Sequence, residues 1–524
     1  LTALLNCLGF RVDTVQQQAS IGKYENYFVK TLSSENGKRI NYTHPIAAFG
    51  SGASRDGFRV VCVNGQYAAD GLIDIMNEIG DARHTMIFLD STLTLSERRR
   101  LARKTKNLGD KLFVVVDRVV MMFLVRNYDE NKMNRMLMSL VVPFGYYQPY
   151  IWDSANVMPP ELFMGRKKEL EDIKSVGGVN IVYGGRQLGK SALLKKAKED
   201  IDHDENGDRA VYIEIKDKNY REAARKIGHE LYDQHILEED IDTDDWDDLV
   251  RAMRQRLESE TAPRIPYLLL LLDEADMFIE SCEAVNYHPF DALKEVQNIS
   301  TCRFKFVIAG LRNVVRFKRE AALGNNSVLT HIKSMTVTPF NTSEARELLE
   351  IPLHYLGFRF PKDKESLITL ILATTNYFPG LIQLYCAKLL EAMRGKDYAG
   401  YKEADTPIYE VSENHIKKVL ADPMFIKQIR EKLEITLKLG GDNYYYLIAL
   451  LMASLYHQKG YSSGHSAADI KAAGEALDIK RIAELDESKI AAFMEELREL
   501  NVLRNTDETH YLFTRVSFFQ MMGN

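Results

Sequence analysis

The sequence predicts an α/β protein: a parallel sheet whose first strand opens into a glycine-rich loop, with a smaller α/β layer ahead of it and an α+β module behind. Three observations predict it. The strand Val179-Asn180-Ile181-Val182-Tyr183 runs through Gly184-Gly185-Arg186-Gln187-Leu188-Gly189-Lys190-Ser191 into the helix former Ala192-Leu193-Leu194-Lys195-Lys196-Ala197. The aliphatic run Leu268-Leu269-Leu270-Leu271-Leu272 closes on Asp273-Glu274. Between Phe58 and Leu124, short apolar runs alternate with helical spacings, the pattern of a parallel layer.

Length and composition set the frame. At 524 residues the chain has room for about three domains. An apolar share of 45% and a charged share of 27% are ordinary for a soluble globular protein. The net charge of −6 argues against a protein dominated by nucleic-acid binding, though it leaves room for a local basic patch. Cys7, Cys62, Cys282, Cys302 and Cys386 are scattered and odd in number, which reads as reduced thiols in a cytoplasmic setting rather than a disulfide or zinc framework. The Leu268–Leu272 run is far too short to cross a bilayer, and no secretory signal is visible, so no membrane partner is expected. Because the chain starts at Leu1 rather than Met, an upstream segment is expected to be missing.

Residues 1–150 read as a small α/β domain without an assignable role. Up to Gly57 the sequence is polar and irregular, and no strand can be placed there. Beyond it, Phe58–Val63, Thr85–Leu89 and Lys111–Val116 read as strands; helices are expected over Ala68–Ile79, about Leu95–Lys106, and from Asp117 through Leu124. Asp90 and Asp117 follow strand ends, where such folds place ligands. Helix capping accounts for both more simply, since no third ligand or nucleophile pattern accompanies them. The cationic run Arg98-Arg99-Arg100, with Arg103 and Lys104, reads as a solvated helix face, the alternative being a face for an acidic partner or nucleic acid. Prolines and aromatics from Pro143 to Tyr150, then Pro159-Pro160, suggest a stiff strap and a boundary near residue 150.

Residues 151–340 carry the chemistry. The stretch from Gly184 to Ser191 fits G-x-x-x-x-G-K-[ST] between a strand and a helix, the context of a phosphate-binding loop. Glycines let the backbone curl so that its N–H groups face phosphate, and the helix N-terminus, starting near Ala192, adds positive potential. Lys190 is expected to reach the β- and γ-phosphates of ATP, and Ser191 to offer a hydroxyl to Mg²⁺. Asp273, at the end of a buried strand, is the expected second Mg²⁺ contact, and Glu274 the group that orients or deprotonates the attacking water. A strand at Phe304–Gly310 ends in Leu311-Arg312-Asn313; a polar or cationic side chain at that tip can contact a γ-phosphate, so Arg312 and Asn313 are sensor candidates. Arg316 and Arg319 are candidate charge donors to a neighbouring subunit. Between the two motifs, Ala210–Ile215 reads as a strand, and two helices follow, the second capped at Thr243.

These motifs, with the entry Phe163-Met164-Gly165-Arg166-Lys167-Lys168-Glu169-Leu170, resemble the signal-transduction ATPases with numerous domains (STAND). They are also similar to archaeal-type and origin-recognition-type AAA+ ATPases. Ala373-Thr374-Thr375-Asn376-Tyr377-Phe378-Pro379-Gly380 resembles the Gly-x-Pro element of the STAND lid, except that Tyr377 and Phe378 replace small residues. The resemblance covers about residues 155–395. It implies a P-loop NTPase core of five parallel strands, a helical lid over 341–410, Pro379 near the adenine or ribose, and a nucleotide-gated change in oligomer state or partner binding. In bacteria such switches often serve antiphage defence or regulation.

Residues 411–524 read as helices over about 413–421, 424–436, 443–457, 466–477 and 487–500, then a strand, turn and strand over 501–513. Three helices and a hairpin resemble a winged helix. Its third helix carries Glu487, Glu495, Glu496 and Glu499 against Lys489 and Arg498, a poor surface for phosphate. The expectation is therefore a Mg²⁺-dependent ATPase switch acting through a homo-oligomer or a protein effector. The alternative is a DNA-binding ATPase of the origin-recognition or transposition-regulator kind.

Overall fold

The computed structural model describes residues 1–21, 24–35, 38–40, 44–79, 83–105, 111–145, 147–151, 158–202, 207–259, 263–300, 303–311, 332–394, 408–438, 443–459 and 464–514. The chain forms two compact units, Leu1–Gly165 with Phe340–Ile426, and Arg166–Pro339 with Lys427–Asn524. Among the described residues no helix is long and apolar enough to cross a membrane.

The first unit is built on a five-stranded sheet in the order Val12–Ile21, Tyr24–Thr31, Phe58–Asn64, Thr85–Asp90, Phe113–Asp117. The last three strands are parallel. Phe113–Asp117 is buried along its whole length, and most of Phe58–Asn64 and Thr85–Asp90 is buried too, which is why these strands read as largely apolar runs. The two leading strands are antiparallel and lie before Gly57, where the sequence alone left the strands unplaced. Their pattern was illegible because Thr14-Val15-Gln16-Gln17-Gln18 offers few apolar side chains to reveal a buried face.

Asp117 caps the Arg118–Arg126 helix, accepting from Val120 N, and its other oxygen accepts from Leu93 N at 2.8 Å and from Arg98. Asp90 pairs at the surface with Arg118, 2.7 Å away. Both carboxylates are thus occupied structurally. The cationic helix, Leu95–Thr105, is likewise engaged: Arg98 binds buried Asp117, while Arg100 and Lys104 both reach Asp70.

The strap is tied down at several points. Ser51 N and Oγ donate to Glu161, Tyr150 Oη donates to Leu349 O at 3.1 Å, and Ile151 N donates to Gln383 Oε1 at 2.9 Å. The last two partners lie in the helices Thr342–Tyr355 and Pro379–Arg394, which with Glu365–Thr374 and Glu413–Leu420 belong to the Phe340–Ile426 portion of this unit. Asn341 opens the first of these with a reciprocal capping box to Glu344.

The second unit holds a five-stranded parallel sheet in the order Ser334–Thr336, Ile181–Tyr183, Phe304–Gly310, Leu268–Asp273, Arg209–Glu214. Helices pack on it through Trp246, Phe278 and Phe290, whose rings lie 5.5 and 5.6 Å apart in sequence. The Trp246–Glu258 helix is capped by Asp245, whose side chain accepts from Asp247 N, and not by Thr243. Thr243 Oγ1 instead accepts from Asp245 N at 3.1 Å, one step earlier in the same turn.

Lys305 is the anomaly of this core. It lies in a fully buried strand, and its ammonium donates to the carbonyls of Asp172, Ile173 and Ser175 at 2.9, 2.8 and 2.5 Å. Those carbonyls close the C-terminal end of the Lys167–Lys174 helix, where a cation is favoured by the helix dipole. Burial pushes the Lys305 ammonium down to about 7.

The C-terminal part of this unit contains helices Tyr444–Lys459, Ala467–Ala476, Lys480–Ala483 and Glu487–Glu499, then an antiparallel pair, Leu503–Asn505 with Tyr511–Phe513. Glu496, counted above as part of an acidic surface, is buried and accepts from the Tyr445 hydroxyl.

Candidate nucleotide site

The Gly184–Ser191 loop folds as the glycines require. Gly184, Gln187 and Gly189 have φ of 149, 63 and 88°, so successive backbone groups curl around one centre. A Cβ at Gly184 would come within 2.5 Å of Val337 O, so no larger residue fits beside the neighbouring strand. Leu188 is buried and anchors the loop, Arg186 and Gln187 are half-buried, and Gly189 is exposed. Lys190 begins the Lys190–Asp202 helix, which places Ser191 and Ala192 in its first turn, beside the unsatisfied N–H groups.

Lys190 is buried, and its ammonium donates to Gly184 O and Gly185 O at 2.9 Å each. Burial lowers its pKa, while Asp273, Glu274 and Asp276 oppose that shift and Arg186 adds to it. One lysine, one arginine and three carboxylates therefore share a small volume. Burial, then the Asp273 charge, raises the carboxyl of Glu274 above its ordinary range, while Arg186 and Lys190 pull it back. Glu274 also sits at φ 53°, a left-handed conformation costly for a non-glycine residue. Asp276 Oδ1 accepts from Leu311 N at 2.8 Å, tying the ends of two neighbouring strands together.

Two participants were not recognised from sequence. Tyr212, on the adjacent strand, donates its hydroxyl to Asp273 Oδ2 at 2.7 Å, and Asp273 Oδ1 accepts from Glu274 N at 2.9 Å. Tyr212 thereby fixes the carboxylate's orientation, and Lys195 lies 5.3 Å above its ring. Arg166 donates to Leu188 O at 3.4 Å, to Thr338 O, and to Glu169 at 3.0 Å, pinning the phosphate loop from behind. The spacing of Arg166 from the loop placed it in a motif but gave no partner; nothing in the local pattern marked Tyr212.

Gly185 has a neighbour from the C-terminal part of the same unit. A Cβ there would lie 2.8 Å from the carbonyl oxygen of Leu500, which caps the Glu487–Glu499 helix. Pro379 is buried and opens its helix in the other unit, preceded by Asn376 and Tyr377 at φ 53 and 60°. Arg312, Asn313, Arg316 and Arg319 lie outside the described residues.

The donor set suits ATP and Mg²⁺: a backbone cradle, a buried ammonium, a half-buried hydroxyl and hard carboxylate oxygens. Residues 173–316 match the family model of the AAA domain. That segment holds the phosphate loop, the Asp273-Glu274 tip and four of the five parallel strands. A comparison with curated proteins finds no match. Among solved structures the chain is similar to a Walker-type ATPase of Pyrococcus abyssi, with 14% identity over 71% of this chain and 99% of that one, at a TM-score of 0.47. It is also similar to Cdc6p from Pyrobaculum aerophilum (14% identity, 71% and 97% coverage, TM-score 0.35) and to Drosophila ORC bound to DNA (14%, 69% and 87%, 0.32).

Proposed function

We propose that the chain is a Mg²⁺-dependent ATP-hydrolysing switch whose nucleotide state is relayed to its C-terminal helices and hairpin. The observation that carries this reading is the contact of Leu500 with Gly185, because a loop that wraps phosphate cannot rearrange without meeting that carbonyl. Ser191 and Asp273 would hold the metal, which when bound neutralises charge on the β- and γ-phosphates. Lys190 exchanges its two carbonyl partners for phosphate oxygens, a stronger charge-assisted bond. Glu274 orients the attacking water and accepts its proton; Tyr212 keeps Asp273 aimed. Pro379 contributes on the adenine side, and Arg312 and Asn313 sense the γ-phosphate.

The C-terminal module is read as winged-helix-like and as a protein-contact surface, through which the switch assembles or releases a regulatory or defence partner. Its Glu487–Glu499 helix exposes Glu487, and Glu495 is bonded to Arg498 at the surface, which suits a protein better than a phosphate backbone. The basic Leu95–Thr105 helix, the best sequence argument for DNA, spends Arg98, Arg100 and Lys104 on internal partners.

Amide hydrogen exchange across residues 487–513, with and without ATP and Mg²⁺, tests the coupling. Nucleotide-dependent protection there, absent in Lys190→Ala, is the expected result. Identical exchange in all states would refute the relay.

A further inference from the structure

Within the first unit, a groove of about 710 Å³ runs between the Met133–Val141 helix and the Thr342–Tyr355 helix with the strand after it. That volume is in the range of small-molecule sites. Its rim is cationic: Lys132, Arg135, Arg359 and Lys362 are all exposed. Glu350 is the one carboxylate among the lining residues, and it is already engaged by Arg346 at 2.9 Å. Lys132 is partly neutralised by Asp129 at 2.7 Å.

The two arginines are differently placed. Arg135 Nε donates to the Tyr355 hydroxyl at 3.2 Å, and Arg359 Nε donates to His354 Nδ1 at 3.3 Å. Both acceptors are neutral, and among the described residues neither guanidinium pairs with a carboxylate. Burial, then the charges of Arg359 and Arg135, holds the His354 imidazole below its ordinary range. Below the rim, Phe358 is buried and Ile351, Met136 and Phe360 are half-buried, giving an apolar and partly aromatic floor. Planar guanidinium forks suit phosphate oxygens, and an aromatic floor suits a planar base.

We propose that this groove is a second nucleotide-class site, separate from the phosphate loop, holding a phosphate on Arg135 and Arg359 and a base against the Phe358–Phe360 floor. The ligand is either a free nucleotide or one unit of a single strand; the chemistry is shared. Occupancy would clamp the helix carrying Arg135 to the helix carrying Tyr355, giving the switch an input distinct from ATP.

The test uses the full chain carrying Lys190→Ala, which silences the phosphate loop. It is titrated with a fluorescent methylanthraniloyl AMP and, separately, with a labelled oligothymidine of about ten nucleotides. At least one probe is expected to bind, with affinity falling steeply as salt rises. Adding Arg135→Glu and Arg359→Glu should weaken binding at least about tenfold. The gentler pair Arg135→Lys and Arg359→Lys, which keeps charge but not the fork, should weaken it about threefold and guards against a reversal variant that fails to fold. Binding of AMP alone points to a free nucleotide, and binding of the strand alone to a single strand. Absence of binding by both probes, or equal binding by the unaltered and lysine-substituted grooves and any folded reversal variant, overturns the proposal.

Discussion

The carbonyl oxygen of Leu500 lies 2.8 Å from the point that a Cβ on Gly185 would occupy. A helix end from the C-terminal module thus rests on the loop expected to hold phosphate, and only glycine leaves room for it. Gly185→Ala must displace either the loop or the helix end, since both groups are backbone. ATP affinity is expected to fall at least about tenfold, or about 1.4 kcal/mol, in a fluorescent-nucleotide titration. Unchanged affinity together with unchanged exchange at residues 487–505 would mean that the contact is not part of the switch.

In the proposed site Tyr212 would act on the metal through Asp273, to which it donates its hydroxyl. Tyr212→Phe keeps the ring beneath Lys195 but removes the hydroxyl that donates to the carboxylate. The Mg²⁺ concentration giving half-maximal effect on nucleotide binding should rise at least about tenfold, the usual consequence of losing an outer-shell partner. Nucleotide binding measured without Mg²⁺ should not change. An equal loss with and without the metal would make Tyr212 a packing residue only.

The raised carboxyl of Glu274 predicts the acid limb of the reaction. In the proposed role of base it must be ionised, so hydrolysis should decline as pH falls through a pKa above the ordinary 4.5. The direction follows from burial and the adjacent Asp273 charge, both of which favour the protonated form. A rate–pH profile with its acid limb at or below 4.5 would contradict that assignment.

Lys305 makes a prediction about stability rather than chemistry. Lys305→Met fits the strand but removes the ammonium from three carbonyls at a helix end; Asp172 O and Ser175 O keep the backbone donors Val179 N and Gly178 N, while Ile173 O loses its donor. Thermal or urea unfolding should show a loss of about 2 kcal/mol, the cost of one orphaned buried acceptor and two weakened ones. A neutral effect would mean that the helix end finds other partners.

What could be read in advance follows from how each signal is generated. The phosphate loop and the Asp273-Glu274 tip were legible because glycine at positive φ and an unbroken leucine strand leave few alternative folds. The strands from Phe58 onward were legible for the same reason. The Val12–Thr31 hairpin was not: a polar strand at a sheet edge has no continuous buried face to imprint on its sequence. Glu496 and Lys305 were misjudged or passed over because charge normally marks a surface, and only tertiary partners, Tyr445 and a helix end, make their burial affordable. Tyr212 escaped notice because its role depends on strand adjacency, 61 residues from Asp273 in sequence.

The most direct measurement is single-turnover ATP hydrolysis by Glu274→Gln beside a binding titration on the same protein. The glutamine keeps the shape of the side chain but cannot take a proton. ATP should bind within about twofold of the unaltered chain while hydrolysis slows at least about a hundredfold. Unchanged turnover would remove Glu274 from the chemistry and with it the hydrolytic switch proposed for this site.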